Sequence, residues 1–452
     1  MDLATRTHRQ LLAVVGVIIV VTIAGLVALW PSDGALPDAG EPPEPLVTAE
    51  VTAVSLTGEA GEDGGPGPGA GEIADITVRL LDGDEIGREV TLRADLAGLP
   101  PVSPGDQVEL ASSVGPDGDT EYFITDFRRL PTLGILVGLF VAAVLVIGRW
   151  HGLRSLLGLG VSLVLVVRFI VPAILAGSSP PLVALVGALA VMVVTLYLAH
   201  GVNEMTTAAI VGTTGALVVT VLLALLFIDQ AAITGFASED AIFARQQVEG
   251  LDLRGLVLAG LIIAALGVLD DVTVSQASTV FALHDTDRTL AFGPLFGRAM
   301  KVGRDHIASV VNTLFLAYAG ASLALLVIFS TGGLASAEIV NSEVLAVEIV
   351  KTVVGSLGLI TAVPLTTALA ALVATRRPES APRAAAYGHH HGPGPGPVDG
   401  PAPDGGAVEP VDEEERAARA WARYLEQHGS GDVGTGGAGS PADGAPGDRP
   451  PG

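Results

Sequence analysis

The chain has 452 residues, half of them apolar and 16% charged, with a mean hydropathy of +0.57 and a formal net charge of −24. That composition lies outside the soluble globular norm and makes lipid the main solvent. The lack of cysteine excludes disulfides, thiolate metal sites, a cysteine nucleophile and a lipoprotein anchor. The acidic balance argues against nucleic acid as a partner, because phosphate recognition needs clustered cations.

Residues 1–30 read as a short N-terminus followed by a signal-anchor helix. Arg6, His8 and Arg9 precede an apolar run at 11–30, and no small-x-small cleavage pattern follows it. Residues 31–130 carry much of the acidity. They open with the Pro-rich PSDGALPDAGEPPEP, a linker unable to pack a core. Five short β-branched segments follow, LVTAEVTAVSL, IADITVRLL, EIGREVTLRADL, GDQVELASSV and EYFITDFRRL, separated by turn clusters and by the Gly-rich TGEAGEDGGPGPGAG, read as an exposed loop. They predict a small β-barrel or sandwich. It contains no histidine and no catalytic set, so its expected role is spacing or docking of a protein partner through residues 45–128.

Residues 131–374 predict seven further membrane helices at 131–148, 155–175, 181–199, 206–228, 255–272, 306–330 and 350–374, each close to the ~20 apolar residues that cross ~30 Å of hydrocarbon. The expected architecture is an α-helical polytopic membrane protein of about eight transmembrane helices, with a small extracytoplasmic β-rich domain and a disordered C-terminal tail. Cations beside the spans fix its orientation. Arg149 and Arg154, then Arg288, Arg298, Lys301 and Arg304, then Arg376 and Arg377 all fall on one side of an eight-span chain, so both termini are expected in the cytoplasm. The loops at 229–252 and 331–343, rich in acids, fall on the other side.

The tail, 375–452, is rich in Gly, Pro and Ala and reads as disordered. Within it, residues 411–428 have early acids and later arginines, the pattern of a short helix and a second docking segment. His389, His390 and His391 have no ordered acid or thiol near them in sequence and are read as a compositional accident. No metal and no cofactor is expected anywhere in the chain.

The chemistry-bearing residues cluster near the expected cytoplasmic surface. Asp270 and Asp271 end the apolar run at 255–272, and a charge near the bilayer centre costs about 2.5–3.5 kcal/mol unless it is paired, wetted, protonated or used. If the helix continues, Asp271, Ser275 and Ser278 share one face, and Asp305, Ser309 and Asn312 repeat that spacing at the start of the next span. Facing stripes would line a polar vestibule, with Asp271 and Asp305 as proton or cation ligands and Ser275 and Asn312 orienting them. The competing structural reading pairs Asp270 and Asp271 with Arg304, Arg298 or Lys301. Asn203 and Glu204, beside His200, are expected as a solvated turn or as further members of the vestibule. Phe292, Leu295, Phe296 and Ala299 form an apolar edge that suits an interfacial helix on an anionic leaflet. Arg168, inside the third span, is expected to snorkel outward or to pair with Glu348, which lies three residues before Lys351. Gly212, Gly215 and Ala216 read as a close helix contact.

GVLDDVTVSQAS from Gly267, GRDHIASVVNTLFLAYAGASLALL from Gly303 and HGVNEMTTAAIVGT from His200 together resemble the YibE/F family of bacterial multi-pass membrane proteins. The resemblance covers roughly residues 131–374. In that family a proline often follows the AGASL element, and Ala324 takes its place here. The resemblance implies a bacterial plasma-membrane protein and supplies neither a substrate nor catalytic residues. Three functions remain open at this level: a transporter or permease-like component, a non-catalytic scaffold that holds envelope partners, and a metal-dependent intramembrane enzyme. No phosphate-binding loop, nucleophile elbow or HExxH sequence is present in a convincing setting to support the last.

Overall fold

The computed structural model describes residues 3–31, 46–56, 73–83, 85–95, 101–114, 120–331, 333 and 335–377. The Pro-rich linker, the Gly-rich loop, the three consecutive histidines and the segment 411–428 lie outside these described residues.

All five expected strands form: β1 (Val47–Leu56), β2 (Ile73–Leu80), β3 (Glu89–Asp95), β4 (Gln107–Val114) and β5 (Thr120–Phe127). They make one antiparallel sheet in the order β3-β2-β1-β4-β5. Alternation along β2 sends Ala74, Ile76, Val78 and Leu80 to one face, where they bury against Ala49, Val51, Val108 and Leu110. A register shift between Val51 and Ala53 bends β1. The Tyr122 hydroxyl in β5 reaches Glu85 in the β2–β3 turn at 3.4 Å, so the sheet curls over its own core.

The rest is helical: α1 (Leu3–Leu29), α2 (Leu130–Leu165), a π-helical turn (Val166–Ile170), α3 (Val171–Leu175), α4 (Pro180–His200), α5 (Glu204–Gln230), α6 (Glu239–Gln247), α7 (Leu253–Thr286), α8 (Phe292–Ala321), α9 (Leu323–Thr331), α10 (Ser336–Asn341) and α11 (Glu343–Ala374). Among the described residues, six helical stretches are long and apolar enough to cross a membrane, or seven if the bent pair α8–α9 is counted as one span. One of the six, Leu130–Leu175, has 46 residues. Straight, it would reach about 69 Å, over twice the hydrocarbon thickness. It breaks at Arg149, whose φ of +47° and ψ of −126° are not helical. The approach there is so close that a Cβ on Gly152 would strike the carbonyl of Val144.

α5, α7 and α11 form the centre of the bundle, with α4 against α7, α1 against α4 and α5, and α8 against α11 and α7. Two apolar clusters divide it along its length. Leu11 from the start of α1 joins Met205, Phe281, Leu295, Val373 and Ala374, which places the first turns of α1 and the last of α11 at one end. At the opposite end the Glu343 carboxylate accepts the backbone N–H groups of Thr234 and Gly235 at 2.8 and 2.7 Å, tying the loop after α5 to the first turn of α11.

Two sequence expectations change. The span expected at 255–272 is a helix of 34 residues, about 51 Å long, so Asp270 and Asp271 sit within α7 and not at its end. Polar residues do not stop it. The Ser275, Thr279 and Thr286 hydroxyls donate to carbonyls of their own helix, while Val272, Ala277, Val280 and Phe281 continue the packed face. The apolar edge of Phe292 to Ala299 meets protein in part, while Phe292 itself stays 42% exposed. Leu295 and Ala299 are fully buried against α7 and α11, and Phe292 stacks on Phe296 with ring centroids 5.9 Å apart. A third feature arises without proline: α8 and α9 meet at 61° across Ser322, although Ala324 stands where the resemblance expects that residue.

Candidate functional site

The phase of α7 decides what each of its acids meets. Leu269, Val272, Thr273, Gln276 and Val280 face the bundle, and Asp270 lies at the edge of that face, turned toward Thr195 of α4. Its Oδ1 is enclosed, and Thr195 is the hydrogen-bonding side chain beside the carboxyl. Thr195 itself is lodged between α7 and Gly158 of α2, whose missing side chain leaves 3.6 Å between a hypothetical Cβ and the Thr195 methyl. Asp271, one residue on, is exposed on the outer side. It interacts electrostatically with Asp270 and with His200 at the end of α4, and His200 in turn interacts with His151 in the turn after Arg149. Two acids, two histidines and a threonine therefore gather where α2, α4 and α7 meet. The arrangement presents carboxylate oxygens, a hydroxyl and imidazole nitrogens, the donor types that carry a proton or coordinate a small cation. Among the described residues, no three His, Asp or Glu side chains converge as a metal-holding group.

The second stripe stays apart from the first. α8 packs through Met300, Gly303, Ile307, Val310 and Leu314, and Asp305, Ser309 and Asn312 occupy the exposed opposite face. Asp271 and Asp305 consequently do not look into one vestibule within a single chain. Ser275 and Ser278 are half-buried beside Asp271, and the Ser275 hydroxyl is already committed to the Val272 carbonyl at 3.0 Å.

The loop cations lie away from Asp270 and Asp271. Arg298 reaches Asp287 at 4.0 Å, and Lys301 and Arg304 are exposed on α8, so none of the three neutralises Asp270 or Asp271. Arg168 is exposed in the π-helical turn, and Glu348 pairs with Lys351 at 2.8 Å, one turn along the same helix, in place of the expected partner. Asn203 caps α5, its side-chain oxygen accepting the Thr206 N–H at 2.9 Å. Glu204 pairs with Arg377 at 2.7 Å, and Arg377 also lies 3.9 Å from Asp285 and 5.3 Å over the Phe281 ring. Arg288 completes this end group at 3.3 Å from Asp285.

Between the two charged groups runs a buried polar seam that the sequence reading passed over. Thr206, Thr213 and Thr220 on α5, Thr273 and Gln276 on α7, and Thr366 and Thr367 on α11 are each no more than 2% exposed. Thr213 and Thr273 share a hydrogen bond of 2.5 Å, and Gln276 donates to Thr367 at 2.7 Å and to the Ala299 carbonyl at 3.1 Å. Thr366 Oγ1 lies against Gly212 without a hydrogen-bond partner. The seven-residue spacing of Thr206, Thr213 and Thr220 was the available signal, since it keeps three hydroxyls on one side of one helix.

No curated protein and no solved structure matches the chain. The model of one protein family, described as YibE/F-like protein, matches residues 136–376, from the first half of α2 to the end of α11. That is more than half of the chain, and the protein belongs to this family.

Proposed function

We propose that this YibE/F-like membrane protein is a transport component that passes a proton or small cation by way of Asp270. The supporting observation is Asp270 itself, part-buried at the edge of the packed face of α7, with an enclosed Oδ1 and with Thr195 as its polar neighbour. A charge there costs about 2.5–3.5 kcal/mol on insertion scales, and no Lys or Arg pairs with it among the described residues to offset that cost. A bound proton or cation would. Asp271, His200 and His151 extend the polar contact from Asp270 to the exposed side of α7 and give an ion a route to water. Asp305, Ser309 and Asn312 lie on the exposed face of α8 and stand outside the pathway in this reading, while Ser275 and Ser278 are half-buried beside Asp271.

The same proposal places the protein in a bacterial plasma membrane with eight spans. The break at Arg149 divides Leu130–Leu175 into two of them, and α8–α9 counts as one. Arg149, Arg154, Arg288, Arg298, Lys301, Arg304, Arg376 and Arg377 mark the cytoplasmic side, the acidic residues 229–252 and the β sheet lie outside, and both termini lie within the cytoplasm.

The test is flux into proteoliposomes loaded with a pH-sensitive dye, driven by a potassium diffusion potential, and repeated with sodium and potassium gradients. Asp270→Asn is expected to lower flux at least about tenfold, equivalent to ~1.4 kcal/mol. Asp271→Asn should lower it less, and Asp305→Asn should leave it near the parent value. Undiminished flux in Asp270→Asn at equal incorporation would overturn the proposal.

A further inference from the structure

The bend between α8 and α9 opens a wedge against α11. α9 has no buried residue, and the space beneath it is a cavity of about 260 Å³ bounded by Phe315, Tyr318 and Ser322 on one side and by Leu345, Ile349 and Val353 on the other. Leu345 to Val353 spans about 12 Å of helix. The volume falls just below the ~300–1,000 Å³ of pockets that enclose whole drug-sized ligands, which suits an unbranched apolar segment. Both walls belong to helices apolar enough to cross a membrane, so the cavity borders hydrocarbon.

Its lining is mostly apolar, with Tyr318 and Ser322 on the α8 side and Glu348 and Thr352 along the α11 wall. Glu348 lines the cavity five residues into α11, about 7.5 Å from the helix start, and accepts a 2.8 Å hydrogen bond from Lys351. Tyr318 lies within electrostatic reach of Glu348. An acid and a base held together at about a quarter exposure each cancel in net charge but still offer a donor and an acceptor. A purely anionic headgroup would gain from Lys351 and lose to Glu348. A headgroup carrying both phosphate and ammonium answers both.

We infer that this wedge holds one acyl chain of a zwitterionic phospholipid, with its headgroup at the Glu348–Lys351 pair. The site is independent of Asp270 and of the transport reading. It makes the α8–α9 bend a place where a bilayer lipid is part of the folded protein, filling a space that side chains leave open.

The test uses the full chain, reconstituted in vesicles of equal phosphatidylethanolamine and phosphatidylglycerol, re-extracted in a maltoside detergent and analysed for retained phospholipid by mass spectrometry. A single phosphatidylethanolamine per chain is expected. Ala319→Phe and Val353→Phe, which fill the wedge from opposite walls, should each lower its retention roughly tenfold with an unchanged elution profile. Glu348→Gln combined with Lys351→Met should keep a lipid but lose the preference for phosphatidylethanolamine. Equal retention in either filling variant that elutes as the parent does would overturn the inference, as would preferential retention of phosphatidylglycerol by the parent chain.

Discussion

Glu204 and Arg377 meet at 2.7 Å, joining the first residue of α5 to the chain just past α11. Since Arg377 also approaches Asp285 beyond the core of α7, one guanidinium ties together all three central helices at one end of the bundle. It is 16% exposed at the side chain, so water screens it only in part.

Removing that guanidinium should loosen the bundle end. Arg377→Gln is expected to cost about 1–3 kcal/mol, because a part-buried guanidinium that bridges Glu204 and Asp285 is lost. Arg377→Lys should recover only part of the loss, as an ammonium cannot span Glu204 and Asp285 with a planar fork. The fraction surviving heating in detergent, read by size-exclusion chromatography, checks both.

A methyl group at Gly212 would collide with Thr366 Oγ1 across the α5–α11 contact. Gly212→Ala should therefore destabilise by about 1–3 kcal/mol through overpacking. Thr366→Ala alone should be near neutral, because the hydroxyl it removes is buried and unpaired. The double variant should be more stable than Gly212→Ala, and a double-mutant cycle on thermal survival measures the coupling.

Arg149 holds a positive φ at the break in Leu130–Leu175, in a region that favours glycine. Arg149→Gly should stabilise by about 1 kcal/mol, while Arg149→Val should destabilise by at least as much. Differential scanning fluorimetry in one detergent compares the two with the parent. Equal melting temperatures for both variants would count against strain at this residue.

Between α7 and α8, Asp287 accepts hydrogen bonds from the Thr289 hydroxyl at 2.6 Å and the Thr289 N–H at 3.1 Å. The hydroxyl bond chiefly, with help from the N–H and from Arg298, holds its carboxyl below the usual aspartate range. A carboxyl lowered on folding contributes stability that is complete above its unfolded pKa and is lost as pH falls through the lower, folded value. Hydrogen exchange at residues 287–290 should accordingly stay slow through mildly acidic pH and rise only below the ordinary aspartate range. In Asp287→Asn the rise should vanish, with exchange already faster at neutral pH.

The strands and most spans were legible in the sequence because each rests on one strong local signal. Alternation around Ile76 and Val78 marks a one-sided sheet, and the largely apolar run from Ala208 to Ile228 reads as a span without tertiary information. What remained hidden depends on what a polar side chain faces. Gln276 and Thr273 carry no sequence mark of which way they face, and both are buried, because α5 and α11 present matching hydroxyls. Helical spacing correctly grouped Asp271 with Ser275 and Asp305 with Ser309. It could not tell which side of each helix was packed, and in α8 the packed side carries Gly303 and Ile307. Which of the adjacent acids Asp270 and Asp271 turns toward a neighbouring helix was equally hidden, and it is Asp270 that meets Thr195.

The hydroxyls along the central contact have one more mechanical consequence. Thr213 and Thr220 donate to Ala209 and Ala216 of their own helix, and Thr367 donates to Val363 of its own. Glycines face threonines across the α5–α11 boundary, Gly212 at Thr366 and Gly358 at Thr220, so the two helices fit closely there. α5 is also tied to α11 at both ends, through Glu343 and through Arg377, and at mid-height by way of α7, through Thr213–Thr273 and Gln276–Thr367. An axial slip between the two helices would break contacts at all three levels, so the centre of this bundle is its least yielding part.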